Sequence, residues 1–219
     1  MTETTTRAPL SGLASDEAVL HRIVDKLAGR FAGIFAAETV DRYVFESYTA
    51  LARTSKVRNF LVPRTERFAG DRLTALATAK GAIARTVPEV LFVCVQNSGR
   101  SQMAAALLKA RAGERVHVRS AGSAPAEQID PHAVEAMGRR GISLDEEFPK
   151  PLTDDVVQAA DVIVTMGCGD SCPLYVGKRY LDWKVTDPAG KNSDETEQIA
   201  ADIEARVDAL LAELLGDHA

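Results

Sequence analysis

A cysteine, an arginine and a serine stand together in "EVLFVCVQNSGRSQMAAALL", residues 89–108, as Cys94, Arg100 and Ser101. A thiol attacks only as its thiolate, and a free one is about 3% ionised at pH 7, so a nucleophilic cysteine needs surroundings that favour the anion. The spacing offers them. The apolar run "VLFVCV" reads as a strand buried on both faces. Residues 99–112 read as a helix. Cys94 then lies at the carboxyl end of a strand, where open α/β sheets bind ligands. Val95, Gln96, Asn97, Ser98 and Gly99 form a loop whose backbone N–H groups converge at the helix N-terminus. Arg100 adds a planar fork of donors that fits a tetrahedral oxyanion and offsets its repulsion from a thiolate, and the Ser101 hydroxyl favours the anionic sulfur. The expected site is an anion cradle of residues 95–101 with sulfur at its floor. Taken without its setting, the same pattern suits a buried structural cysteine beside a solvent-facing arginine; the strand, loop and helix in succession separate the two.

Two further features could do chemistry. "MGCGDSCP" places Cys168 and Cys172 four residues apart, on one face of a helical turn and within disulfide reach, with Gly167 and Gly169 free to let the segment rearrange. Two buried cysteines or half of a metal site fit the same spacing, although zinc would want four ligands and His117 or His132 would have to converge on them. Asp187-Pro188 reads either as a turn or as a carboxyl that donates a proton to a leaving oxygen. Trp183, close by, reads as packing.

The elements around these residues set the fold class. Before Pro88, apolar residues recur at helical spacing in three stretches: Val19 through Phe35, with Asp16 placed to cap the start; Val40 through Leu51; and Ala69 through Ala77, ending near Gly81. They predict a small three-helix bundle over residues 16–85 after a disordered tail, residues 1–15. From residue 86 to 219 strands and helices alternate. "VHVRSAG", "DVIVTMG" and a less regular "RYLDWKVTD" add three strands. Asp130-Pro131 opens one helix, and Ser193 is placed to cap a last helix with a stripe from Ile199 to Leu214. Such alternation predicts a doubly wound α/β fold with a four-stranded parallel sheet. Residues 1–85 carry 13 Lys+Arg against 9 Asp+Glu, while the remainder carries 13 against 22, consistent with two units of different surface. Aromatic content of 5% argues against a stacking platform for single-stranded nucleic acid. Neither a signal peptide nor a membrane span is legible, so a cytoplasmic protein without nucleic-acid or membrane partners is expected, and three cysteines there are not a disulfide scaffold.

"FVCVQNSGRSQMA" resembles the phosphate loop of low-molecular-weight protein tyrosine phosphatases and, more closely, of the thioredoxin-coupled arsenate reductases built on the same fold. "RSAG" at 119–122, "VTMGC" at 164–168 and "DWKVTDPAGK" at 182–191 extend the match from about residue 90 to the C-terminus. The resemblance implies reduction of arsenate to arsenite. Cys94 would be the nucleophile, Arg100 the anion ligand and Asp187 the general acid. Cys168 and Cys172 would complete a thiol relay recycled by thioredoxin, with no resident cofactor. A tyrosine phosphatase, which needs no such cysteine pair, is the alternative. An arsenic-sensing regulator that uses the bundle on DNA is a third reading. Two departures stand out. Only three residues separate Cys168 from Cys172. Some family members also hold potassium through an acidic residue on the helix after the loop; that position is Ala105 here, so no metal is expected, and Lys150 becomes a candidate built-in cation. The short helices are also expected to bring two copies together as a homodimer, with Phe31, Phe35, Tyr43 and Phe45 as candidate contacts.

Overall fold

The computed structural model describes residues 13–55, 60–167 and 174–216, with Leu13, Ala14 and Ser15 described in backbone only. The chain divides into two compact units, Met1–Leu73 and Thr74–Ala219.

The first unit is helical. Helix α1 (Leu13–Arg30) and α2 (Ala37–Ala52) pack with the first part of α3 (Leu61–Ala79) through Leu20, Ile23, Leu27, Phe31, Val40, Val44, Tyr48, Leu61, Phe68 and Leu73, all buried. Three details differ from the periodicity reading. Asp16 is not a cap: it lies inside α1, and its carboxylate accepts a 2.7 Å hydrogen bond from the Tyr48 hydroxyl. The stripe that ran on to Phe35 stops being helix at Arg30, and the chain turns through Gly33 with φ 79°. Helix α3 begins well before Ala69, because Pro63 sits in its first turn, where a missing N–H costs nothing. Phe31 and Tyr43 are spent in this unit's own core, so of the four proposed dimer contacts only Phe35 and Phe45 keep partial exposure. The buried Arg72 guanidinium donates to Ser47 Oγ at 3.1 Å and lies 4.5 Å from the Tyr43 ring centre, closing the core with a satisfied charge.

The second unit is the α/β domain. Strands β1 (Glu89–Cys94), β2 (His117–Gly122), β3 (Val162–Met166) and β4 (Arg179–Asp182) are all parallel, in the order β2-β1-β3-β4. Every residue of β1 is buried, as its central place requires. Strand period then divides its side chains. Val90, Phe92 and Cys94 face α4 (Arg100–Ala112), α5 (Pro131–Arg139) and α7 (Ser193–Gly216). Leu91 and Val93 face α6 (Asp154–Ala159) and Ala75. The Asp130 cap is present, accepting from the N–H groups of His132 and Ala133. The cap of α7 is Asn192 rather than Ser193: its Oδ1 accepts from Glu195 N–H at 2.9 Å, while Glu195 accepts from Asn192 N–H, a reciprocal capping box.

At the amino ends of the strands Glu89 is buried beside Arg119, with Arg119 Nε 2.6 Å away and His117 Nδ1 3.4 Å away. Burial pushes the Glu89 carboxyl up, but the His117 hydrogen bond and the Arg119 charge and hydrogen bond outweigh it and hold it below its ordinary value. A depressed carboxyl stabilises the fold above its unfolded pKa, and that contribution is lost as pH falls through the folded one. Glu89→Gln strands the Arg119 charge and is expected to cost about 3 kcal/mol at pH 7. In urea melts the gap between the two proteins should shrink as pH drops below 4.5, the ordinary value of this carboxyl; a gap independent of pH would contradict the ion-pair account.

Candidate active site

Strand register brings the site together. Cys94 is level with Gly122 on β2 and Met166 on β3, so three segments leave the carboxyl edge of the sheet side by side. The loop after Cys94 is held from outside through its carbonyls. Ser123 N–H donates to the Cys94 carbonyl, Ala124 N–H to Val95, Ala126 N–H to Gln96 and Asp130 N–H to Ser98, all within 2.8–3.2 Å. Gln102 Nε2 takes the Asn97 carbonyl, and Met103 N–H takes Gly99 within the helix. In a planar trans peptide the C=O and the next N–H point opposite ways. Six carbonyls turned outward therefore turn the N–H groups of residues 95–100 inward, at the N-terminus of α4, whose dipole adds to theirs.

The sulfur sits under that ring. Cys94 is buried, its Sγ 3.0 Å from Ser101 Oγ and 3.2 Å from Asn97 N–H, which donates to it. Asn97 takes the left-handed conformation, φ 48°, the one described non-glycine residue to do so; its side chain bonds Ser101 Oγ at 2.8 Å. Arg100 is buried to 7% exposure and spans to the loop after β4, with Nη2 donating to Asp187 Oδ2 at 2.6 Å and Nη1 to the Val185 carbonyl at 3.5 Å. Asp187 is half exposed and also accepts from Ala189 N–H. Trp183, 5.7 Å from the Phe92 ring, anchors that loop as packing.

Close approach explains two glycines. A Cβ on Gly122 would lie 2.7 Å from the Val95 carbonyl oxygen and 2.9 Å from Asn97 N, inside the cradle wall. A Cβ on Gly167 would lie 2.8 Å from Arg100 Nη1, so the end of β3 runs against the guanidinium. Cys168 follows Gly167 directly in the chain; Cys168 and Cys172 both lie outside the described residues.

The structure thus brings Cys94, residues 95–101 and Asp187 into one place. It does not bring His117, which is at the far end of β2, or His132, which sits at the start of α5 beside Glu135. The Lys150 ammonium is held by Glu147 at 3.0 Å and the Phe148 carbonyl at 3.2 Å, and its backbone N–H lies 2.8 Å from Asn97 Oδ1. Sequence reasoning missed Gln102 and the bracing segment 123–130. The only signal for them was that both sit inside quoted motif stretches or just after one.

Residues 89–219 match the model of the low molecular weight phosphotyrosine protein phosphatase family, and residues 20–77 match the protein-tyrosine-phosphatase-like N-terminal domain. The chain belongs to the low molecular weight phosphotyrosine protein phosphatase family. Within that family it is similar to a thioredoxin-dependent arsenate reductase of Corynebacterium glutamicum, a solved structure at 47% identity and TM-score 0.84, covering 93% of this chain and all of that one. A tyrosine phosphatase of Erwinia amylovora aligns at 27% identity and TM-score 0.54, over 60% of this chain and 96% of that one. Arsenate reductase 1 of Staphylococcus epidermidis is 34% identical over 54% of this chain and 92% of its own length. The phosphatase-family cradle predicts a sharp contrast between two glycines. Gly122→Ala should weaken phosphate or arsenate binding more than tenfold by calorimetry, since the clash is with backbone. Gly138→Ala, in α5 with nothing within 4 Å of the added carbon, should bind normally and gain up to about 1 kcal/mol from helix propensity.

Proposed function

We propose that this chain reduces arsenate to arsenite through Cys94, Cys168 and Cys172 and is recycled by thioredoxin. The observation that carries the reading is the cradle: a thiol hydrogen-bonded by Ser101 and Asn97 N–H at the centre of inward-facing N–H groups, with Arg100 beside it. Similarity along 93% of the chain to a thioredoxin-dependent arsenate reductase supports it.

In this mechanism an incoming arsenate takes over Arg100, and the Asp187 carboxyl turns to the leaving oxygen. Cys94 thiolate attacks arsenic, and one hydroxide departs as water with the proton from Asp187. Cys168 thiolate then attacks the Cys94 sulfur. The S–As bond breaks with its electron pair on arsenic, so arsenite leaves as As(III) and a Cys94–Cys168 disulfide forms. Cys172 attacks Cys168, frees Cys94 and moves the disulfide to Cys168–Cys172, which the thioredoxin dithiol reduces. The balance is arsenate plus a dithiol giving arsenite, a disulfide and water.

The same cradle and aspartate would also serve phosphoester hydrolysis, which needs neither Cys168 nor Cys172. We assign residues 16–85 as a helical bundle, its first helix reaching back to Leu13, and residues 86–219 as the catalytic domain. We further assign a homodimer through the bundle and a place in the cytoplasm, where thiols stay reduced. No described helix is long and apolar enough to cross a membrane.

Arsenate-dependent NADPH consumption with thioredoxin and thioredoxin reductase tests the activity; turnover of para-nitrophenyl phosphate far above arsenate reduction would favour the phosphatase instead. Cys94→Ser should abolish reduction, and Arg100→Lys should lower it by about 100-fold or more, since an ammonium lacks the planar fork. Cys172→Ser should complete one turnover and trap Cys94–Cys168, seen by peptide mass mapping; repeated turnover would remove Cys172 from the relay. Light scattering should give twice the monomer mass for the full chain and the monomer mass for a chain starting near Thr86.

A further inference from the structure

We infer that Gln102 is a positioning residue that sets the direction of the hydrogen bonds reaching the Cys94 sulfur; the inference rests on Cys94 being the nucleophile. Gln102 is 1% exposed, on the first turn of α4, and its Nε2 meets three oxygens: the Asn97 carbonyl at 3.2 Å, Asn97 Oδ1 at 3.1 Å and the Phe148 carbonyl at 3.0 Å. All three can only accept, so the atom facing them is the amide NH2.

The consequence passes along a chain of forced choices. Lys150 backbone N–H, which can only donate, lies 2.8 Å from the other side of the Asn97 amide and identifies that atom as Oδ1. With Oδ1 held by two donors, Asn97 must present Nδ2 to Ser101 Oγ, 2.8 Å away. Ser101 Oγ therefore accepts from Asn97. Its own proton is left for the neighbour at 3.0 Å, the Cys94 sulfur. A hydroxyl that donates to sulfur favours the thiolate; one that accepted from S–H would favour the thiol. The polarity is set three hydrogen bonds from the sulfur, by two donors that together hold Asn97 Oδ1: the buried Gln102 amide and the part-buried Lys150 backbone N–H. Gln102 also holds the Asn97 carbonyl, and so helps keep Asn97 in its left-handed conformation.

A positioning role through Ser101 differs from a merely structural one in its coupling. In full-length protein carrying Cys168→Ser and Cys172→Ser, Cys94 is the only thiol left. Its alkylation rate by neutral iodoacetamide at pH 7 is measured in four proteins: this parent, Gln102→Met, Ser101→Ala, and the two combined. The expected result is that Gln102→Met slows alkylation about tenfold in the parent, the scale of one buried hydrogen bond, and changes it little once Ser101 is alanine. Equal slowing in both backgrounds, or none in the parent, overturns the inference and leaves the nucleophile standing. Failure of the parent to alkylate at Cys94 overturns the nucleophile reading and the inference with it. Gln102→Asn keeps the amide but withdraws it by one methylene; it is carried through the same cycle, with the same expected coupling, and decides the matter if the methionine variant does not fold.

Discussion

Six consecutive carbonyls, from Cys94 to Gly99, are turned away from the site and satisfied elsewhere, and most of the second unit is arranged to make that possible. A tight loop left to itself would not keep its dipoles aligned. Here the segment after β2 supplies four N–H donors between Ser123 and Asp130, the first helical turn supplies two more, and the segment after α5 supports Asn97 from below. The sheet register makes these meetings possible, because Cys94 and Gly122 end their strands at one level, and the missing side chain of Gly122 lets the two backbones touch.

The two ends of the sheet use charge in opposite ways. At the amino ends Glu89, Arg119 and His117 form a closed set, and Asp161 joins them to the segment before β1 by accepting from Glu89 N–H and pairing with Arg85. That end holds elements in place. At the carboxyl ends positive potential is concentrated by a helix N-terminus and one buried guanidinium, and among the described residues the carboxylate paired with it, Asp187, comes from an exposed loop. Stability and chemistry are thus separated by the length of a strand, and a change at one end leaves the other's electrostatics largely alone.

The cradle was legible in the sequence because strand, loop and helix are contiguous there, so local pattern and local chemistry coincide. The parallel sheet was legible for the same reason, from buried runs alternating with helical periods. What escaped depended on distant partners. Gln102 reads as an ordinary polar residue on a helix until Phe148, 46 positions away, is seen against it. Lys150 drew notice for its charge, and the bond from its backbone N–H to Asn97 was not legible. Competition between neighbours explains the smaller misses: Asn192 outcompetes Ser193 as cap because Glu195 can bond back to it, and the apolar spacing through Phe35 continues past a helix end that the Gly33 turn imposes.

The contact between Arg100 and Asp187 gives the resting site its own internal counter-ion. Any anion that enters must compete with a carboxylate already seated at 2.6 Å. A spherical ion such as chloride can replace the charge and accept from the N–H groups, but it has no separate oxygens to divide among them and the planar fork of Arg100. A tetrahedral oxyanion gains both at once. The site therefore discriminates by shape before any bond is made, and abundant simple anions meet a site that already has its own.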